Sequence, residues 1–265
     1  MLLASWSLLL IREVAGHDLI RTTWGVTTFD DPSQWKTYLE DLAARGYAGF
    51  EAPTWGVCGV PTGPTMGCGT HVCPEERVEL FREALQSSGL YYIAQLHTCG
   101  YPIAQADLAS HLESVKSLAS IAKEKLNATL ANVHGGIDWW STATKVDFLR
   151  GSAVVSEELG LPMAHETHRM RALSTPWTLA DIFKVLDDEL GGALLETQGG
   201  RLSPFGLLNL TADLSHWVLA AVSPHLANFT TNEFVHALFM RLAVDFLHRN
   251  VPSTSLLTRT GGLLS

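Results

Sequence analysis

Charged residues are scarce in this sequence, and the basic ones are the scarcest. Only 17% of the 265 residues are charged, against 46% that are apolar. This composition is too apolar for a disordered chain and favours a folded protein with a large core. The 18 Lys and Arg are outnumbered by 27 Asp and Glu, which gives a net charge of −9. Because nucleic-acid binding depends mostly on a basic surface, we do not expect a nucleic-acid partner.

Long apolar runs and flexible linkers are missing as well. No stretch approaches the ~18 uninterrupted apolar residues that indicate a membrane-spanning helix, so no membrane association is expected. The apolar segment 1–11 resembles the core of a signal peptide, but it lacks a basic region and a clear cleavage site. The expected location is therefore the cytoplasm. Since no linker rich in Pro, Ser or Gly divides the chain, one domain is expected.

Cysteine is rare too. The chain has four, Cys58, Cys68, Cys73 and Cys99, and the first three lie in one segment rich in Gly and Pro. Their spacing matches no common zinc-binding module. We therefore expect free thiols in a reducing compartment.

The sequence does contain a regular alternation of short β-rich runs with longer segments of helical periodicity. This alternation is typical of βα units arranged around a parallel sheet. Six strands are predicted, at 19–26, 48–52, 90–97, 128–134, 162–168 and 207–213. Five helices are predicted between them, at 32–45, 74–88, 104–125, 142–159 and 176–186.

The pattern is disturbed in the last third of the chain. Residues 187–203 contain two Gly-Gly pairs and read as an insertion, and 233–240 fit either a seventh strand or the start of a helix. No eighth strand is visible. We predict a (β/α)8 TIM-barrel type of fold that is incomplete or altered after the sixth strand. The barrel domain is expected over 19–250, with an N-terminal extension at 1–18 and a poorly ordered tail at 251–265.

Polar side chains that can bind a metal stand at or just beyond the ends of successive predicted strands. In a parallel barrel those ends converge on one face, where active sites are built. A mixed set of carboxylates and imidazoles suits a divalent ion. Each residue is weak evidence alone, but the joint pattern predicts one shared site. The set consists of Glu51, His97, His134, Glu166, His168, Asp213 and His216.

Spacing adds detail at the fifth strand. Glu166 and His168 are two residues apart, so in an extended chain both side chains point to the same side. His165 then points the other way, among the helices. After the sixth strand, Asp213 and His216 are close enough in sequence to approach one ion or one substrate.

This run of strand-end residues resembles the xylose isomerase-like TIM-barrel superfamily. The superfamily contains sugar and sugar-phosphate isomerases and epimerases, together with abasic-site nucleases of the endonuclease IV type. The resemblance covers about residues 19–222 and is carried by Thr23-Trp-Gly-Val26, Asn132-Val-His-Gly-Gly136, His165-Glu-Thr-His-Arg-Met-Arg-Ala172 and Ala212-Asp-Leu-Ser-His-Trp217.

The resemblance implies roles for particular residues. Glu166 and Asp213 match metal ligands of the family. His216 matches a residue that touches substrate in isomerases and binds metal in nucleases. His97 and His134 match positions that are pocket residues in many isomerases and zinc ligands in the nucleases. The family also takes a His from strand seven and a Glu from strand eight. His236 is the candidate for the former, whereas no Glu follows Glu233.

The leading hypothesis is an isomerase or epimerase of carbohydrate metabolism that acts on a sugar or related polyhydroxy carbonyl compound through an ene-diolate. The expected cofactor is Mn, Zn, Co or Mg. A homo-oligomer is left open. Glu166 or Glu51 would move the proton. The predicted metal ligands are Glu166, Asp213, His216 and His236, and the predicted substrate contacts are His97, His134, His168, Arg169 and His216. Candidate pocket walls are Trp24, Trp55, Trp139 and Trp140.

Two alternatives stay open. Strand-end histidines together with Asp213 and His216 also fit a zinc-dependent phosphodiesterase of the abasic-site nuclease type, although the acidic balance opposes it. The missing C-terminal Glu also fits a truncated, catalytically defective barrel.

Overall fold

A computed structural model describes residues 18–59, 68, 71–100, 107–189, 209–212 and 256–258. In these residues the chain forms one sheet of seven strands whose spatial order follows the chain order. Every neighbouring pair of strands is parallel. This sequential parallel order, with helices in the connections, is the arrangement of a (β/α) barrel. The predicted fold class is therefore confirmed.

The strands are short, and most helices span three to five turns. The strands are β1 Ile20–Thr22, β2 Gly49–Pro53, β3 Tyr91–His97, β4 Leu130–His134, β5 Met163–Glu166, β6 Asn209–Ala212 and β7 Leu256–Thr258. The helices are α1 Trp35–Ala44, α2 Thr54–Cys58, α3 Glu75–Ser88, α4 Leu108–Ser120, α5 Thr142–Leu159 and α6 Pro176–Glu189. Two 3-10 turns, Thr27–Asp30 and Pro32–Gln34, precede α1, and a π-helical turn, Ile121–Lys125, continues α4.

All six predicted strands are present, but the last part of the sheet differs from the expectation. A seventh strand, β7, pairs with β6 from within 251–265, the segment for which a poorly ordered tail was expected. Residues 233–240, the candidate seventh strand, lie outside the described residues. Between β2 and α3, where no helix was predicted, the chain forms the short helix α2.

The central strands alternate between two kinds of side chain, because successive residues of a strand point to opposite faces. One set is apolar and packs with the helices in the core, for example Phe50, Tyr92 and Leu96. Aromatic rings link the strands to the helices there. Phe81 of α3 meets Tyr92 at 4.9 Å and Trp35 of α1 at 5.5 Å between ring centroids. The other face of the same strands carries polar side chains, and they form the site described below.

Local signals begin and end several helices. The Asp107 side chain accepts from the backbone N–H of Ser110 at 2.8 Å and caps α4, and Ser141 caps α5 in the same way through Thr144. Gly160, in the left-handed conformation, ends α5. These residues explain why the helix bounds predicted from the sequence agree with the structure to within a few residues.

The expectation of free thiols is wrong. Cys58 is bonded to Cys73 and Cys68 to Cys99, with Cα–Cα separations of 4.6 and 4.1 Å. The sequence spacing could not reveal this pairing. The Cys68–Cys99 bond depends on β2 and β3 lying side by side, which brings the segment after β2 against the end of β3. The Cys58–Cys73 bond closes a loop within the connection between β2 and α3.

The disulfides also bear on the expected location. Disulfides persist mainly in oxidising compartments, so the cysteines no longer support a reducing one. The cytoplasm stays a prediction without that support. Among the described helices, none combines the length and the apolar character that a membrane span requires.

We expect thiol titration of the denatured, unreduced protein to detect no free thiol among its four cysteines. Replacing both Cys58 and Cys73 by Ser should lower the free energy of unfolding by about 2–4 kcal/mol, because the bond restricts the unfolded chain. Denaturant titration measures this loss, and the difference should disappear when both proteins are reduced first, since each then lacks both disulfides. Four reactive thiols in unreduced protein would contradict the pairing.

Candidate active site

The polar face of the sheet brings together side chains from four neighbouring strands. In the register of β3 and β4, Gln95 lies beside Asn132 and His97 beside His134. Glu51 of β2 and Glu166 of β5 flank them. These side chains are buried; Glu51 is 6% exposed and Glu166 is 2% exposed.

One amide connects the two carboxylates. Asn132 Nδ2 donates to Glu51 Oε1 at 2.7 Å and also to Glu166 Oε2. Gln95 Nε2 makes a second hydrogen bond to Glu51 Oε1, also at 2.7 Å. Burying two carboxylates near each other is costly unless donors stabilise their charge. The two amides supply those donors without adding an opposite charge.

Three imidazole rings adjoin one another, and two of them, His134 and His168, lie near Glu166. His134 Nε2 lies 2.8 Å from Glu166 Oε2. The His97 ring stacks on the His134 ring with centroids 4.1 Å apart, and the His168 ring meets His134 edge-on at 5.4 Å. His168 Nδ1 is 2.7 Å from the Arg169 carbonyl oxygen, so Nδ1–H donates to it. In the neutral ring this leaves the lone pair on Nε2, the tautomer in which a histidine can bind a metal through Nε2.

His134, Glu166 and His168 form a candidate metal site. Each offers one ligand atom, and these atoms all lie within 4.8 Å of one another. Imidazole nitrogens with a carboxylate oxygen are a donor set that Zn²⁺ and other divalent first-row ions accept. The residues present therefore fit a divalent ion.

The structure brings together Glu51, His97, His134, Glu166 and His168, as expected for a shared site. Arg169 is different, because its side chain is exposed and only its backbone carbonyl contacts this group, through His168. The other predicted ligands, Asp213, His216 and His236, lie outside the described residues.

Sequence reasoning missed Gln95 and Asn132. Both precede a candidate histidine by two residues, so both share its face of the strand. An amide at this position inside an otherwise apolar strand was a usable signal. Both amides lie inside their strands, whereas the predicted site residues stand at the strand ends.

Aromatic rings border the site on one side. Trp24 lies 5.7 Å and Trp55 6.3 Å from the His97 ring, measured between centroids. The Trp24 side of this wall is open to solvent, because that residue is 47% exposed. Of the other two candidate wall residues, Trp139 is exposed, and Trp140 packs against His111 and Phe148. Two of the four tryptophans thus adjoin the polar cluster.

His165 confirms the predicted alternation in β5. It is buried on the helix side of the sheet, with its ring 5.8 Å from that of Phe148 in α5. Burial lowers the pKa of His165 to about 4, so the residue is neutral at pH 7. It takes no part in the cluster on the opposite face.

The buried His165 should make stability depend on pH. Its pKa is lower in the folded state than in the unfolded chain, so between about pH 6.5 and 4 the unfolded state binds more protons. The free energy of unfolding should therefore fall as the pH falls, by about 1.4 kcal/mol per pH unit for this group. Urea titrations at several pH values should show a shallower dependence in His165→Gln. An equal slope in both proteins would contradict this assignment.

The chain is similar to several solved structures. No protein-family model and no curated protein matches it. Similar solved structures include a probable 3-DHS dehydratase of petrobactin synthesis from Bacillus anthracis, at 13% identity and TM-score 0.48, covering 77% of this chain and 66% of that one. Another is the D-allulose 3-epimerase from Methylomonas sp., at 12% identity and TM-score 0.47, covering 78% and 65%.

A third similar structure has a different activity. It is the carboxyl transferase domain of Rhizobium etli pyruvate carboxylase, at 15% identity and TM-score 0.43, covering 92% of this chain and 37% of that one. The chain spans about two thirds of the length of the first two structures. The fold assignment itself rests on the parallel pairing and strand order given above.

Proposed function

We propose that this chain is a divalent-metal-dependent isomerase or epimerase that acts on a sugar or a related polyhydroxy carbonyl compound. The observation that carries the proposal is the convergence of His134, Glu166 and His168 beside a second buried carboxylate, Glu51. Sugar epimerisation is the activity named for the D-allulose 3-epimerase structure, and its transfer to this chain is part of the proposal.

His134, Glu166 and His168 would hold the ion in this proposal. When bound, a divalent ion polarises carbonyl and hydroxyl oxygens and so acidifies the neighbouring C–H. Asp213, His216 and His236, which the family resemblance adds, are kept as further proposed ligands. Glu166 belongs both to this group and to the ligand set predicted from the sequence.

Glu51 is the proposed proton carrier. Gln95 and Asn132 both donate to its Oε1, and these two bonds fix the orientation of the carboxylate. The base would take a proton from carbon and return it to the adjacent carbon in an isomerase. In an epimerase, Glu51 would remove the proton from one face of the carbon. A second carboxylate, Glu166, would donate a proton to the opposite face of the same carbon.

The remaining residues would shape the pocket. His97 lies between the polar cluster and the indole rings of Trp24 and Trp55. Its ring can therefore contact substrate hydroxyl groups where the polar cluster meets the indole rings. The indole rings offer an apolar wall of the kind that lines most small-molecule sites. His168 and the exposed Arg169 are proposed to contact substrate from the β5 side.

The metal site can be tested without knowing the substrate. Titration of metal-free protein with Mn²⁺, Co²⁺ or Zn²⁺ should raise the thermal unfolding midpoint, because an ion that binds only the folded state stabilises it. Glu166→Gln and His168→Ala should each weaken binding by about tenfold or more. His165→Gln is the matched control, since it alters the same strand on its opposite face. If none of the three ions shifts the midpoint, the proposed function is wrong.

The proton-transfer role of Glu51 has its own test. With a panel of ketoses and aldoses in heavy water, the metal-loaded protein should introduce deuterium at carbon, which NMR detects. Glu51→Gln should reduce this exchange by about 10²–10⁴-fold while leaving metal affinity nearly unchanged. Unchanged exchange in that variant would remove Glu51 from the mechanism. If no sugar exchanges and an abasic duplex is cleaved, the phosphodiesterase alternative replaces the isomerase.

A further inference from the structure

Arg171 is a buried cation next to the site that the proposed function leaves without a role. Its side chain is among the largest fully buried ones in the described residues, at 1% exposure. Its two terminal nitrogens donate to two backbone carbonyl oxygens, Nη1 to Thr98 and Nη2 to Gly100, both at 2.8 Å. Burying a guanidinium carries a desolvation free energy, which its hydrogen bonds must offset.

The carbonyls that Arg171 holds belong to the segment directly after His97. Thr98 is fixed from two further directions, because its backbone N–H donates to the His134 carbonyl and its hydroxyl lies 2.6 Å from Nδ1 of His111. The next residues, Cys99 and Gly100, both have left-handed backbone conformations, with φ of 59° and 76°. This tight bend lets one planar guanidinium reach the carbonyls on either side of Cys99.

The backbone of Arg171 closes the turn that carries His168. Its N–H donates to the His168 carbonyl at 3.1 Å, and the next residue, Ala172, donates to the Gly135 carbonyl, also at 3.1 Å. Met170, inside the turn, has a left-handed φ of 64°, which is unusual for a residue other than glycine. The turn therefore needs external support to keep this conformation.

We propose that Arg171 is a positioning residue that fixes His168 relative to His97 and His134. The inference rests on the proposed function, in which those histidines bind metal and substrate. One guanidinium joins the turn after β5 to the segment after β3, and Thr98 joins that segment to the end of β4. Lysine is not an equivalent replacement. Its ammonium group is a compact point charge and lacks the planar guanidinium whose two terminal nitrogens reach two separate carbonyls.

The test compares Arg171→Lys with Arg77→Lys. Arg77 is a matched control, since it also donates to two backbone carbonyls, Val57 at 2.6 Å and Gly56 at 3.0 Å. Both variants keep the charge and lose the fork. In Arg171→Lys we expect the affinity for Co²⁺ to fall about tenfold or more, the loss typical of residues that orient ligands. The visible spectrum of bound Co²⁺ should change as well. In Arg77→Lys, the Co²⁺ affinity and the spectrum should be nearly unchanged.

A second measurement needs no metal. Hydrogen–deuterium exchange of the metal-free protein should be faster at the amides of 168–172 in Arg171→Lys, and unchanged there in Arg77→Lys. If Arg171→Lys does not fold, Arg171→Gln, which keeps a planar donor, should show the same changes. Equal effects of the two lysine variants on Co²⁺, or unchanged exchange at 168–172, would overturn the proposal. Wild-type protein that binds no ion would overturn the proposed function instead, and exchange would still decide whether Arg171 holds the turn.

Discussion

The contact on which this site depends is the amide of Asn132 between two buried carboxylates. Glu51 and Glu166 come from strands on either side of β3 and β4. Asn132 donates to both carboxylates, and Gln95 donates to Glu51. Such donors stabilise the charge of buried carboxylates. The relative placement of the two carboxylates, and with it the proposed site, therefore depends on this amide.

The segments around the carboxyl ends of the strands are held by unusually strong constraints. Cys99 is covalently tied to Cys68, and the residues on either side of it are held by Arg171. The same arginine supports the turn bearing His168. A site built on loops gains precision when packing and buried hydrogen bonds remove their freedom, because ligand atoms must stay close to one geometry. The residues that surround the candidate ligands thus matter as much as the ligands.

Much of the fold was predictable because its signals are local. Short β-rich runs indicated the strands, and segments of helical periodicity indicated the helices between them. The disulfides were not predictable from spacing, and Cys68–Cys99 joins segments that meet only after β2 and β3 pair. The composition of the candidate metal site was not predictable in the same way. Glu166 was expected as a ligand, whereas His134 and His168 were expected to contact substrate. Whether their nitrogens lie near Glu166 depends on how β4 and β5 are aligned.

The sequence by itself determined which residue types stand at the strand ends and which of them share a face of their strand, since the latter follows from the period of two. That His165 and Glu166 face opposite sides of the sheet follows from this rule. Only the tertiary structure decided which of these residues meet. The parallel register places Gln95 beside Asn132 and His97 beside His134, and it lets one amide join carboxylates from β2 and β5. Distances across strands arise from the packing of the whole sheet, which no local pattern encodes.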